Sequence, residues 1–338
     1  MTAMGERAYT YAKACGMLGK SYVGPRIAQI NNVSHLNELD RLLFPENPGN
    51  LPEKQLLVDL EHRIANRSAR QIINLVSHFS KAPEVLSRLI RSYEYADLKA
   101  VLTALTAKDT HPPKNVDIES FQSIRFSLYP DLEAMVKNTE YEWVTQAISQ
   151  DPMGLKMIDT QIRLDQRYYT FLWEALQREK KSQRLNFEKL LIEEIRLKNI
   201  IWALRLRVYY GFSAEDIKKS LVDITMGSLS LVEPALKTLD FSTDQRSDWR
   251  TWSEESLLNP EQSGQLWRLD PRYVQNAAAG RLYHLARTYF HRRPFTLDTT
   301  ACFIKLKQFE EDLLTSVAEG LILGLPARDV ISMLGVHP

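Results

Sequence analysis

The residues most suggestive of chemistry lie near the N-terminus. Ala14-Cys15-Gly16-Met17-Leu18-Gly19-Lys20-Ser21 fits a relaxed phosphate-binding loop with alanine in place of the first glycine, and a Walker-B-like Leu56-Leu57-Val58-Asp59 follows. Such a loop works when a buried strand delivers a glycine-rich turn to a helix N-terminus, where backbone N–H groups and the lysine hold phosphate. The flanks oppose that reading here. Glu6 to Lys13 reads as an amphipathic helix, Tyr22-Val23-Gly24-Pro25 interrupts the helix the loop should launch, and Asp59 falls in a helical stripe. A nucleotide hydrolase using Lys20 is kept only as an alternative.

Other reactive residues are dispersed. Histidines 35, 62, 78, 111, 284, 291 and 337 are scattered; His284 and His291 could share a helix face, but no carboxylate or thiol three or four residues away completes a ligand set. The acidic pairs Glu193-Glu194 and Glu310-Glu311, near Asn199 and Asp312, could in principle act as acid and base. They recur at matching places along the chain, which favours capping or inter-helix hydrogen bonding over catalysis. Arg205 and Arg207 interrupt an apolar helix and are expected to reach such carboxylates or a partner. Trp249, Trp252 and Trp267 sit in a polar stretch, 241–269, read either as a locally packed surface insertion or as a loop presenting aromatic anchors to a partner. No catalytic residue, cofactor site or metal site is expected.

The 338 residues carry 43 basic and 42 acidic side chains, a net charge of +1 that gives no general reason to seek nucleic acid or anionic lipid. Apolar content of 44% and charged content of 25% are ordinary for a soluble globular protein. Cys15 and Cys302 are read as reduced, buried thiols of a cytosolic protein. The first residues carry no apolar signal core, and no apolar run approaches the ~18 residues of a membrane span.

The elements behind these residues are helical and recurrent. Gly211-Phe212-Ser213-Ala214-Glu215-Asp216-Ile217 followed by Leu221 matches Gly324-Leu325-Pro326-Ala327-Arg328-Asp329-Val330 followed by Leu334. Each copy ends a long apolar helix, predicted at 187–210 and at about 300–323. Each glycine supplies the left-handed residue that stops the helix, and Ser213 with Asp216 forms a capping box for the next. A fainter first copy is predicted at 84–107, ending at Pro112-Pro113. Partner helices precede each: 53–79 in the first case, and helices launched by Asp151-Pro152 and Asp270-Pro271 in the others. Short helices are predicted at 36–40, 136–140 and 236–240. Repetition at this spacing means one supersecondary unit used several times. The reading is an all-α fold of three pseudo-symmetric helical bundles, 1–115, 116–225 and 226–338, the last carrying the insertion.

With those residues in view, the chain resembles the C/d-type family of stalk-linking proteins in V-type and archaeal A-type rotary ATPases. The resemblance spans most of the chain. It is carried by Tyr9, Tyr11, Ala12 and Lys13, by Lys137-Asn138-Thr139-Glu140-Tyr141, by Glu194 to Ile200 with Asn199 running into Leu204-Arg205, and by Phe309-Glu310-Glu311-Asp312-Leu313 before Gly324. Asp312 stands where the family favours asparagine, and the tryptophan-bearing insertion departs from its pattern. The resemblance implies a funnel-shaped, non-catalytic rotor component on the cytoplasmic face of the membrane. Its implied partners are the central-stalk proteins and the proteolipid ring, between which it would transmit torque. The alternative in the binding class is an unrelated helical-repeat scaffold, which an open superhelix would favour over closure about a common axis.

Overall fold

The computed structural model describes residues 3–149, 157–261 and 264–335. The expected N-cap Asp151-Pro152 and His337 lie outside them. Fifteen α-helices make up most of the described residues: α1 (Ala3–Leu18), α2 (Ile27–Ile30), α3 (Leu36–Leu43), α4 (Glu53–Val76), α5 (Glu84–Ile90), α6 (Ser92–Thr106), α7 (Leu132–Val136), α8 (Trp143–Ser149), α9 (Met157–Arg178), α10 (Lys181–Tyr210), α11 (Ala214–Ser220), α12 (Glu233–Leu236), α13 (Pro271–Arg292), α14 (Leu297–Ile322) and α15 (Ala327–Met333). One two-stranded antiparallel hairpin, β1 (Thr225–Met226) with β2 (Leu229–Ser230), is the only sheet among them.

The directions of the long helices follow from side-chain pairs. Glu84 meets Arg178, Lys99 meets Asp165 and Thr103 meets Gln161, so α5–α6 and α9 run antiparallel. Helices α9 and α10 are antiparallel neighbours joined by a tight connection, with Tyr169 bonded to Glu194. Glu193 meets Arg281 and Arg205 meets Gln275, setting α13 antiparallel to α10. The N–H groups of Asn186 and Phe187 donate to Asp298, and Glu194 pairs with Lys305, so α10 and α14 run parallel. Helix α14 packs in turn on α4, where Ser68 donates to the Lys307 carbonyl. The long helices therefore close into a ring, α4, α5–α6, α9, α10, α13, α14 and back to α4. Within it, α14 touches both α5 and α10.

Helix α14 is the hub. Buried residues occur on nearly every turn, from Leu297 through Phe303 and Leu313 to Leu321, which is what a helix enclosed on several sides requires. One large core joins α1 to α10 with α13, α14 and α15. A second core holds the later part of α10 against α11, α13 and the tryptophan-bearing stretch.

The helix-end signals act as their residue types dictate. Gly211 (φ 64°) and Gly324 (φ 77°) adopt the left-handed conformation at the ends of α10 and α14, where a side chain would be strained. The Ser213 hydroxyl accepts the Asp216 N–H at 3.2 Å and opens α11. Ser213→Ala should cost about 1 kcal/mol in chemical denaturation; no change would remove the cap from the account. Asp270 caps α13, with Pro271 in its first turn. Asp329 makes no equivalent cap: α15 starts after Pro326, and Asp329 is exposed beside Arg328.

Several expectations need correction. Helix α10 begins six residues before the expected 187. The expected helix 84–107 is broken at Arg91, where the Ser92 hydroxyl donates to the Leu89 carbonyl and competes with the helical ladder. The expected helix 136–140 does not form. Helix α7 ends at Val136, Asn138 takes a positive φ of 62°, and Glu140 and Tyr141 are drawn away to Arg88, Tyr95 and Glu94.

Candidate functional site

The polar residues of α14 form a row on an otherwise apolar helix, and the row faces its neighbours in the ring. Lys305 Nζ lies 2.7 Å from Glu194 of α10, whose other contact is the Tyr169 hydroxyl of α9 at 3.1 Å. Gln308 donates to the Ser92 hydroxyl of α6 at 2.9 Å. The Tyr93 hydroxyl of α6 donates to Glu311 at 2.7 Å and lies 3.2 Å from the Ser68 hydroxyl of α4. Lys198 of α10 feels the charges of Asp165, Glu194 and Asp312 and stands over the Trp202 ring. Five of the ring helices thus meet through one connected polar seam.

Asp312 marks where the seam opens. It is exposed to solvent, yet protein surrounds it closely enough that burial raises its pKa to about 6, against the pull of Lys198 and Lys305. A recess of about 170 Å³, lined by Glu194, Lys305, Gln308, Phe309 and Asp312 with Tyr283, lies there. Burial raises Glu311 to about 7, although the Tyr93 hydrogen bond favours its ionised form. Tyr168 and Tyr169 are also pushed up, first by burial and then by the Glu194 charge. A carboxylate among several lysines and tyrosines fixes helix register. It offers no nucleophile held against a base.

The second acidic pair serves the same end. Glu310 accepts the Tyr22 N–H, pinning the turn after α1, and pairs with Lys307 inside the core. Glu193, Arg196, Glu254 and Arg281 form a network joining α10, α13 and the insertion. Burial works to raise Glu254, but the two guanidinium groups outweigh it and hold its pKa below the usual carboxylate value.

Asn199 is fully buried in α10. Its amide donates to the carbonyls of Val222 and Leu231, and its oxygen accepts the Val222 N–H. One side chain thereby fixes the chain after α11 and the far side of the β-hairpin. Asn199→Ala leaves those buried groups unpaired and should lower unfolding stability by about 2–3 kcal/mol in urea titration. A change under about 0.5 kcal/mol would contradict this role.

The tryptophans are not presented to a partner. Trp249 is fully buried, Trp252 and Trp267 nearly so; Trp249 packs on Phe241 and Trp252, and its indole N–H donates to the Ser242 carbonyl. Trp267 donates to the Asn259 carbonyl. The reading as exposed anchors gives way to local packing: with Phe241, Leu257, Leu258 and Leu269 the tryptophans form the core that holds the insertion to α10 and α13. Arg207 reaches the Thr238 carbonyl, whereas Arg205 is exposed, 3.3 Å from Gln275.

The phosphate-loop reading is overturned by geometry. Ala14 to Leu18 are the last turns of α1, no strand precedes them among the described residues, and Lys20 lies in the turn after the helix. Asp59 lies in α4, paired with Arg63 and Lys114. Cys15 and Cys302 are free thiols, the first only partly buried. Among the described residues no group of three His, Cys, Asp or Glu side chains is placed to hold a metal ion. No helix among them is long and apolar enough to cross a membrane.

Sequence reasoning missed Ser68, Tyr93, Tyr169, Lys198, Lys305 and Gln308. A signal existed: Lys305, Gln308 and Asp312 step by three and four along α14 and so share one face.

Comparison with known proteins places the chain in a family. A protein of Treponema pallidum (strain Nichols) described only as uncharacterized is 28% identical over 324 residues, covering 94% of this chain and 92% of its own length. The family model of the ATP synthase (C/AC39) subunit matches residues 49–332, from just before α4 into α15. The chain belongs to that family, the non-catalytic C/d subunits of V- and A-type ATPases.

Proposed function

We propose that the protein is the rotor adaptor of a V/A-type ATPase. In this reading it is a socket on the cytoplasmic face of the proteolipid ring that receives the central stalk and carries torque between ATP turnover and ion movement. Family membership supports a place in such a complex. The observation that carries the finer reading is the closure of the six long helical segments into a ring, with a polar seam opening at Asp312. A closed ring resists twisting because each helix is packed on both sides, whereas an open superhelix deforms at its ends. The alternative of a general helical scaffold lacks that rationale.

Three units at 1–115, 116–225 and 226–338 belong to the same proposal, and the packing supports them: α4, α9 and α13 each precede another long helical segment and lie between it and a neighbouring unit's. The funnel shape belongs to this proposal. One partner contact is assigned to the end where α10 and α14 stop. There Tyr209, Tyr210, Leu323 and Leu325 are 40% exposed or more, with Arg205 one turn below.

Affinity purification of the tagged chain from detergent-solubilised membranes tests the reading. Central-stalk proteins and the proteolipid should be recovered together, and Tyr209→Glu with Leu323→Glu should reduce one of the two. Recovery of neither from the wild-type chain would refute it.

A further inference from the structure

A cleft of about 690 Å³ runs along α4, between Phe44 and Asn47 on one flank and Asn115 and Asp117 on the other. Its floor is the stripe His62, Arg63, Asn66, Arg67, Arg70 and Asn74, which covers three turns, roughly 18 Å of helix. The polar seam of the hub helix does not include these residues.

The cleft is cationic and its charge is not balanced by the protein. Arg63 is neutralised by Asp40 and Asp59. Arg67 has no carboxylate partner among the described residues: one guanidinium N–H donates to the Leu43 carbonyl, and the group lies 5.1 Å from the Phe44 ring centre and 5.7 Å from that of Tyr22. Those contacts hold the guanidinium in place and leave its other donors for the cleft. Burial lowers its pKa, with Tyr22 opposing and Arg26 adding to the shift. Arg26 stacks on the same Tyr22 ring, 4.5 Å from its centre, and also meets no carboxylate among the described residues. Arg70 is exposed with no partner among the described residues. Lys13, at the far end of the stripe, bonds to Asn74 and His78 and meets no carboxylate among the described residues. The acidic lining residue, Asp117, accepts the Glu119 N–H, so the lining sets one carboxylate against the three guanidinium groups of Arg63, Arg67 and Arg70.

We propose that this cleft binds an acidic peptide segment of a protein partner, with Arg67 and Arg70 each taking a carboxylate. The cations stand in a row along α4 and do not converge on one point, which suits successive carboxylates of a chain better than a single small anion. The side-chain amides of Asn47, Gln71 and Asn115 line the same cleft and match the hydrogen-bonding groups of a peptide backbone. A recessed guanidinium without a counter-charge is costly, and a carboxylate relieves that cost. The proposal does not depend on the coupling role.

Fluorescence anisotropy of a fluorescein-labelled octaglutamate peptide with the full chain tests it. Arg67→Gln with Arg70→Gln should weaken binding at least about tenfold, while the charge-matched pair Arg250→Gln with Arg272→Gln should leave it within about twofold. Arg67→Lys keeps the charge but loses the planar fork, and should weaken binding severalfold. Should the double variant fail to fold, Arg70→Gln alone, at an exposed position, is expected to weaken binding and its salt dependence. Equal losses in the control pair, unchanged binding in the Arg67 and Arg70 variants, or displacement of the peptide by equimolar inositol hexakisphosphate or inorganic phosphate would each overturn the proposal.

Discussion

Glu94→Ala is expected to lower the unfolding free energy by about 3–5 kcal/mol, the range for breaking a buried hydrogen-bonded charge. Glu94 is 1% exposed in α6. Its carboxylate accepts the N–H groups of Ser123 and Ile124, the Ser123 hydroxyl at 3.0 Å and the Tyr141 hydroxyl at 2.9 Å. These bonds anchor the connection 107–131, which has little helix of its own and contains Pro112 and Pro113. Without them four donors are left unpaired, two of them backbone groups in a segment with no ladder to replace them. Glu94→Gln, which keeps acceptor atoms, should lose less. Guanidinium titration supplies the energies, and limited proteolysis should show new cleavage within 107–131. A loss under about 1 kcal/mol would mean the connection is held by other contacts.

Stability should fall as pH rises from about 5 to about 7.5. Burial raises Asp97 to about 7, with the Glu94 charge adding to the shift and the Val116 N–H opposing it; burial likewise raises Glu311 to about 7. A carboxyl whose folded pKa lies above its unfolded value binds more protons folded than unfolded between the two. Its contribution is full below the unfolded pKa and is lost as pH passes through the folded one. Asp97, raised from 3.8 to about 7, accounts for up to about 4 kcal/mol, and Glu311, starting from a higher ordinary value, for less. Glu254 acts in the opposite sense, but its pKa lies below the usual carboxylate value, so its effect falls below this window; Lys307, lowered by burial to about 7, also opposes the fall, but only near the top of the window. Asp97→Asn should flatten the curve, gaining about 2–3 kcal/mol on the wild type between about pH 5 and pH 7.5. Equal slopes in both proteins would show that Asp97 is ionised throughout.

The parts of the fold legible in the sequence are those set by local physics. Gly211 and Gly324 stop their helices because a left-handed residue is needed there, and Ser213 starts one because its hydroxyl can reach an orphan N–H. The broad apolar faces of 187–210 and 300–323 announced buried helices. What stayed hidden depends on contacts far apart in sequence. Residues 136–140 have a plausible helical pattern, yet Arg88, Tyr95 and Glu94 recruit Glu140 and Tyr141, and the local preference loses. The tryptophans read first as local packing, with anchors as the other reading, because side-chain type does not reveal which way a loop folds back. Lys20 shows the converse case, a motif whose residues match while its flanks spell the end of a helix, which is what the backbone there is. The polar seam was half visible: Glu194, Glu311 and Asp312 stood out, but Tyr93, Tyr169 and Lys305 acquire meaning only when helices distant in sequence bring them together.

The central claim is mechanical coupling, and a complex assembled in proteoliposomes with and without this chain tests it most directly. ATP hydrolysis and ion uptake are measured side by side. The account predicts that the soluble sector still hydrolyses ATP without the chain while ion uptake falls to background, and that adding the chain restores uptake. Undiminished ion uptake in its absence would contradict the account.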